Sequence, residues 1–123
     1  MAKKLALVFG IVFVIVGILG FIPNPIVGMT GFFLTDAVHN IVHLLVGIIL
    51  LVISLKAAAK SAVALKVFGI IYLVLAIIGF FSGSTILGLV AINGADNWLH
   101  LVLGIVIAAA GFMAKDSSPA PMV

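Results

Sequence analysis

The chain has 123 residues, of which 66% are hydrophobic and only 7% charged. Ordinary soluble domains hold about 45–50% apolar and about 25% charged residues, so a water-soluble fold of this size could not hide the apolar surface and the lipid bilayer is the expected solvent. The net charge of +3 comes from six lysines that form no basic face with interleaved aromatics, which excludes nucleic acid as a partner. With no cysteine, disulfides, thiolate metal sites and thiol catalysis are excluded as well.

At about 20 apolar residues per crossing, the length accommodates four helices, short links and no separate soluble domain. Lys3-Lys4 precedes an apolar run from Leu5 to Ile22. The run is long for a signal peptide and ends in Phe21-Ile22-Pro23 without a small-residue cleavage site, so it is read as a retained first helix over about 5–22. Pro23-Asn24-Pro25 ends it, because proline lacks a donor and pushes the preceding residue out of the α region. The loop that follows carries Ile26, Val27, Met29, Phe32, Phe33 and Leu34. It is too apolar to stand free in water and is expected to lie at the interface or fold back over the helices.

Thr35 or Asp36 can cap the second helix, expected over about 36–55, through a side-chain oxygen that satisfies orphan backbone donors. Lys56 to Ser61 forms a short polar link. A third helix is expected over about 62–81, with Lys66 snorkelling to the headgroups. A second loop from Ser82 to Gly94 leads to a fourth helix over about 96–114. Residues 115–123 read as a disordered polar tail.

An internal repeat organises these elements. Phe9-Gly10-Ile11 matches Phe68-Gly69-Ile70, and Gly20-Phe21 matches Gly79-Phe80, at an offset of 59. Ile26-Val27-Gly28 matches Ile86-Leu87-Gly88 at an offset of 60. The stretch His39-Asn40-Ile-Val-His43 matches Asp96-Asn97-Trp-Leu-His100 at an offset of 57. The expected fold is therefore all-α, four transmembrane helices from a duplicated two-helix hairpin, with repeats over 1–60 and 61–114. An even number of crossings gives a parallel repeat. The lysines sit at the termini and the middle link and both long loops have none, so both termini are expected in the cytoplasm. The glycines and alanines of the helices are expected to allow close packing within the bundle.

Nearly all the polar chemistry falls in the two matching stretches. Residues four apart share a helix face, which puts His39 with His43 and Asp96 with His100. If the two faces converge, Asp36, His39, Asn40, His43, Asp96, Asn97 and His100 form a polar seam near the outer surface. One reading is a structural hydrogen-bond clamp between the repeats, because a buried histidine needs a partner. A second is a divalent metal held by His39, His43, Asp96 and His100, three nitrogens and one oxygen suiting tetrahedral zinc. A third is a haem or pigment on His43 and His100.

Elsewhere the helices hold no mid-membrane acid or base, and Tyr72 is the main polar group there. No catalytic set is recognisable, so no enzyme is expected. Ser54 is expected to bond its own backbone, and Trp98 to anchor at the interface or cover the polar cluster. The expected role is that of a structural, accessory or scaffold protein in the lipid bilayer, with a membrane-protein partner or a homo-oligomer. An oligomeric channel or transporter is a further alternative.

The pattern His39-Asn40-Ile-Val-His43-Leu-Leu-Val-Gly47, repeated as Asp96-Asn97-Trp-Leu-His100-Leu-Val-Leu-Gly104, resembles the small bacterial four-helix membrane proteins grouped as domain of unknown function family 4383. The resemblance covers nearly the whole chain. It implies four helices in a bacterial inner membrane, and it implies no activity, cofactor or catalytic residue.

Overall fold

A computed structural model describes residues 1–114; the tail expected at 115–123 lies outside them. Four helices dominate: α1 (Ala2–Leu19), α2 (Ala37–Lys56), α3 (Ser61–Ser82) and α4 (Gly94–Met113). Their lengths of 18, 20, 22 and 20 residues correspond to about 27–33 Å at 1.5 Å per residue. All four are long and apolar enough to cross a membrane, as befits a multi-pass membrane protein.

The ends differ from the sequence expectation by a few residues, and side-chain caps account for two of the shifts. Helix α1 stops at Leu19 rather than Ile22. There Asn24 Nδ2 donates to the Leu19 carbonyl at 2.8 Å while Asn24 Oδ1 accepts from Val27 N at 2.9 Å. One side chain thus replaces the next helical turn. Helix α4 starts at Gly94 because Asn93 caps it, accepting from Asp96 N at 3.0 Å. For α2 the capping residue is Asp36, accepting from His39 N at 2.8 Å. The link after α2 is a short 3-10 helix, Ala58–Lys60.

Each loop carries a strand pair that composition alone conceals. In the first, β1 (Val27–Gly28) pairs in parallel with β2 (Phe33–Leu34). In the second, β3 (Thr85–Ile86) pairs antiparallel with β4 (Val90–Ala91). The Ile86 carbonyl accepts from Leu89 N at 3.0 Å. Leu87 and Gly88 between them have φ of 54° and 68°, the positive pair that a type I′ turn requires. Both loops lie at one end of the bundle, since Asn93 Nδ2 donates to the Phe32 carbonyl at 2.9 Å.

Helix α1 packs most closely on α2, and α3 on α4. Glycines set these approaches, as expected. A β-carbon at Gly47 would stand 2.7 Å from Val14 N, and one at Gly104 would stand 2.8 Å from Leu73 N. At Gly69 it would collide with the Ala108 backbone. In lipid, where no hydrophobic force drives helices together, such backbone proximity is what yields dispersion and packing energy. Leu50, Leu65, Tyr72 and Ile107 fill the centre, while Val8, Ile15, Leu45, Val74 and Ile105 stand outward. That exterior suits hydrocarbon and not water.

Ser54 Oγ bonds the Leu51 carbonyl at 2.9 Å, the local bond expected of it. Lys66 Nζ sits 5.4 Å over the Phe112 ring, a cation–π contact on its way out of the bundle. Trp98 is exposed and meets Phe80 edge-on at 5.2 Å, so it faces outward and does not cover the polar cluster.

The glycine contacts predict a sharp contrast between two substitutions. Gly69→Ala should cost about 1–3 kcal/mol through overpacking, because the opposing atoms are backbone and cannot rotate away. Gly94→Ala, with nothing within 4 Å of the added carbon, should leave thermal stability in detergent unchanged. Equal melting of both variants would show that α3 and α4 do not rely on this contact.

Candidate metal centre

The site is assembled by the first turns of α2 and α4 and by the second loop. Asp36 caps α2 with one carboxylate oxygen, and its other oxygen, Oδ2, accepts from Ala91 N at 3.1 Å. Three residues on, His39 Nδ1 bonds the Ala91 carbonyl at 2.8 Å. Both backbone polar groups of Ala91 in β4 are thus claimed by side chains at the start of α2. A carbonyl can only accept, so Nδ1 of His39 carries the proton and Nε2 presents its lone pair. A backbone acceptor on one nitrogen that frees the other is the usual support of a metal-binding histidine.

His43 follows one turn later on the same face, as the four-residue spacing requires. Its ring centroid is 4.5 Å from that of His39. His100 reaches in from α4, 5.6 Å from His39 and 6.3 Å from His43. Ring nitrogens from all three residues lie within 4.8 Å of one another, and all three residues are buried. Tetrahedral coordination at 2.0–2.1 Å puts nitrogens about 3.4 Å apart, within reach of small rotations of these side chains.

Nδ1 of His43 and Nδ1 of His100 are buried with no hydrogen-bond partner among the described residues. Neither an asparagine nor an aspartate supplies one. An unpaired buried polar atom costs about 1–3 kcal/mol, so a clamp made of direct bonds between these histidines and neighbouring amides is not what the side chains form.

The remaining seam residues take other places. Asp96 is not drawn into the histidine group: its Oδ2 accepts from Asn93 N at 3.0 Å and completes a capping box. The group that comes together is thus the three histidines, without the Asp96 oxygen expected beside them. Its carboxylate serves the orphan donors of the helix start. Asn40 and Asn97 turn back onto the partner helix of their own pair. A β-carbon at Gly20 would collide with Asn40 Oδ1, and one at Gly79 with Asn97 Oδ1. Asp36 clasps Ala91 and stays out of the group.

Two residues join the cluster that sequence reasoning did not place there. Tyr72 of α3 lies 5.3 Å from His100, and Phe13 of α1 lies 5.8 Å from His43 and 5.2 Å from Tyr72. The signal was present, since Tyr72 follows Phe13 by 59 residues, the offset that relates the first and third helices. The haem reading fits poorly. His39 occupies the space beside His43 and His100 that a planar macrocycle between them would need.

The family model for a domain of unknown function (DUF4383) matches residues 3–113. The chain belongs to the DUF4383 family. No curated protein and no solved structure matches the chain. The DUF4383 region takes in all four helices and every member of the histidine group.

The clasp on Ala91 predicts a local effect. Asp36→Ala removes a cap worth about 1 kcal/mol and also frees the Ala91 amide, so exchange of that amide with deuterium should accelerate strongly. An Ala91 amide as slow in the variant as in the parent would show that the carboxylate does not hold the second loop.

Proposed function

We propose that this DUF4383 protein is a metal-binding module of the bacterial inner membrane. One divalent ion of the zinc class is held by His39, His43 and His100 near the outer surface. The observation that carries this reading is the convergence of three buried imidazoles from two helices, with nitrogens within 4.8 Å. Imidazole suits zinc, copper, iron and nickel. The ion would tie α2 to α4, so the role is an accessory or scaffold one, without catalysis, played alone or beside a membrane-protein partner or a second copy.

The reading rests on an architecture of two related hairpins, residues 1–60 and 61–114, with both termini in the cytoplasm. The repeated offsets and matching caps support the duplication. Asp36 and Asn93 cap α2 and α4, and Gly20 with Asn40 answers Gly79 with Asn97. Lysines at the helix ends away from the loops support the orientation.

Protein purified in detergent after growth with zinc should carry about one ion per chain, by the stoichiometry of a single three-histidine site. His43→Ala and His100→Ala should lose it, and Asp96→Asn should keep it. A parent chain without metal, or histidine variants that retain it, would end the proposal. Orientation is tested separately, because the chain has no native cysteine. In intact cells a membrane-impermeant maleimide should label Ser84→Cys and spare Ala59→Cys. The reverse pattern would invert the topology.

A further inference from the structure

We propose that the metal keeps its fourth position open for a small exogenous ligand, and that the Tyr72 hydroxyl donates a hydrogen bond to it. The ligand class is a compact oxygen or nitrogen donor: water, hydroxide or a small anion. This inference rests on the metal reading above and concerns what the bound ion does next.

Three observations lead there independently of one another. The protein offers three nitrogen ligands, while Asp96, the only carboxylate on α4, lies outside the group with one oxygen engaged in the capping box. A three-ligand site with room for a fourth, exchangeable one is the arrangement that separates reactive zinc sites from closed structural ones. Tyr72 is 2% exposed, and its hydroxyl has no hydrogen-bond partner among the described residues. A buried tyrosine hydroxyl ordinarily finds one. Finally, a cavity of about 200 Å³ is lined by all three histidines and by Tyr72, with Val42 and Leu75 beside them.

These features meet at one place. The three histidines and Tyr72 line the same cavity. A donor atom bound to the ion there would accept the hydrogen bond that Tyr72 lacks within the protein. A cavity of this size excludes large ligands, and a bound anion offsets part of the charge that the ion brings into apolar surroundings. Phe13, at the position equivalent to Tyr72 in the first helix, packs on the phenol ring at 5.2 Å and offers no donor. Ligand recognition is therefore one-sided.

The test uses the full chain in detergent, loaded with cobalt(II) as a visible probe and titrated with azide. In the parent chain azide should alter the cobalt d–d bands, as expected when it enters the open position. Tyr72→Phe should bind cobalt with the same stoichiometry and bind azide about tenfold more weakly, the size expected for one hydrogen bond to a charged acceptor. Cobalt bound with no response to azide, or equal azide affinity in Tyr72→Phe, overturns the inference and leaves the metal site standing. A charge-transfer band lost in Tyr72→Phe would make the phenol a direct ligand and likewise overturn it. Failure of the parent chain to bind cobalt removes both readings. Should Tyr72→Phe not fold, the azide response of the parent chain alone still decides whether the site is open.

Discussion

The backbone of Ala91 is the hinge on which the polar interior turns. Its N–H is held by Asp36 and its carbonyl by His39, so one residue of the second loop is fixed by two side chains at the start of α2. In a bundle with an apolar exterior, such a junction is worth more than its two bonds. The buried His39 ring gains the partner that a polar group away from water needs. The junction also orders the chemistry. It fixes the His39 tautomer, holds the ring beside those of His43 and His100, and seats β3 and β4 as one wall of the adjoining cavity. The first and second halves of the chain therefore meet through a backbone group, with the histidines left free to bind something else.

That freedom distinguishes the metal reading from the clamp expected from sequence. A clamp needs donors matched to acceptors across the helices. The asparagines that would provide them are turned onto Gly20 and Gly79, and two imidazole nitrogens are left unpaired. A shared cation satisfies several lone pairs at once, which hydrogen bonds among three neutral imidazoles do less well. The same geometry argues against a planar cofactor, because His39 stands where the plane would lie.

The helices were legible because each is a long apolar run broken by proline, glycine or charge, and a run of that length in lipid has one low-energy form. Their glycine-mediated pairing was legible too, from small residues recurring along the same helices. The loops were not. Two-residue ladders such as Val27–Gly28 with Phe33–Leu34 leave no periodicity to read, and the role of Asn24 at the end of α1 depends on three-dimensional closure. Within the site, the shared face of His39 and His43 followed from helix geometry. The place of Asp96 is less legible, because side-chain spacing does not show the competing demand of the backbone. At the third position of a helix after an asparagine cap, a carboxylate has a local partner waiting. Tyr72 stands 59 residues after Phe13, but a lone polar residue on an apolar helix carries no sign of which side chains it meets.

The comparison of the two helix starts shows why the site is not symmetric. Asp36 and Asn93 occupy the same capping position, and His39 and Asp96 the same third position. On α4 the third residue reaches back to the cap and is consumed there. On α2 an imidazole at that position cannot accept the cap's own N–H in the same way, and the second carboxylate oxygen of Asp36 is left to bind Ala91. His39 is thereby released toward the centre of the bundle. A full pair of equivalent motifs would have given two histidines on each side, or a histidine and a carboxylate on each. The divergence at one position gives three histidines instead. A third-position histidine on one helix and a capping carboxylate on the other are thus two outcomes of the same local geometry. Their difference leaves the fourth place at the cluster to something other than a side chain of α2 or α4.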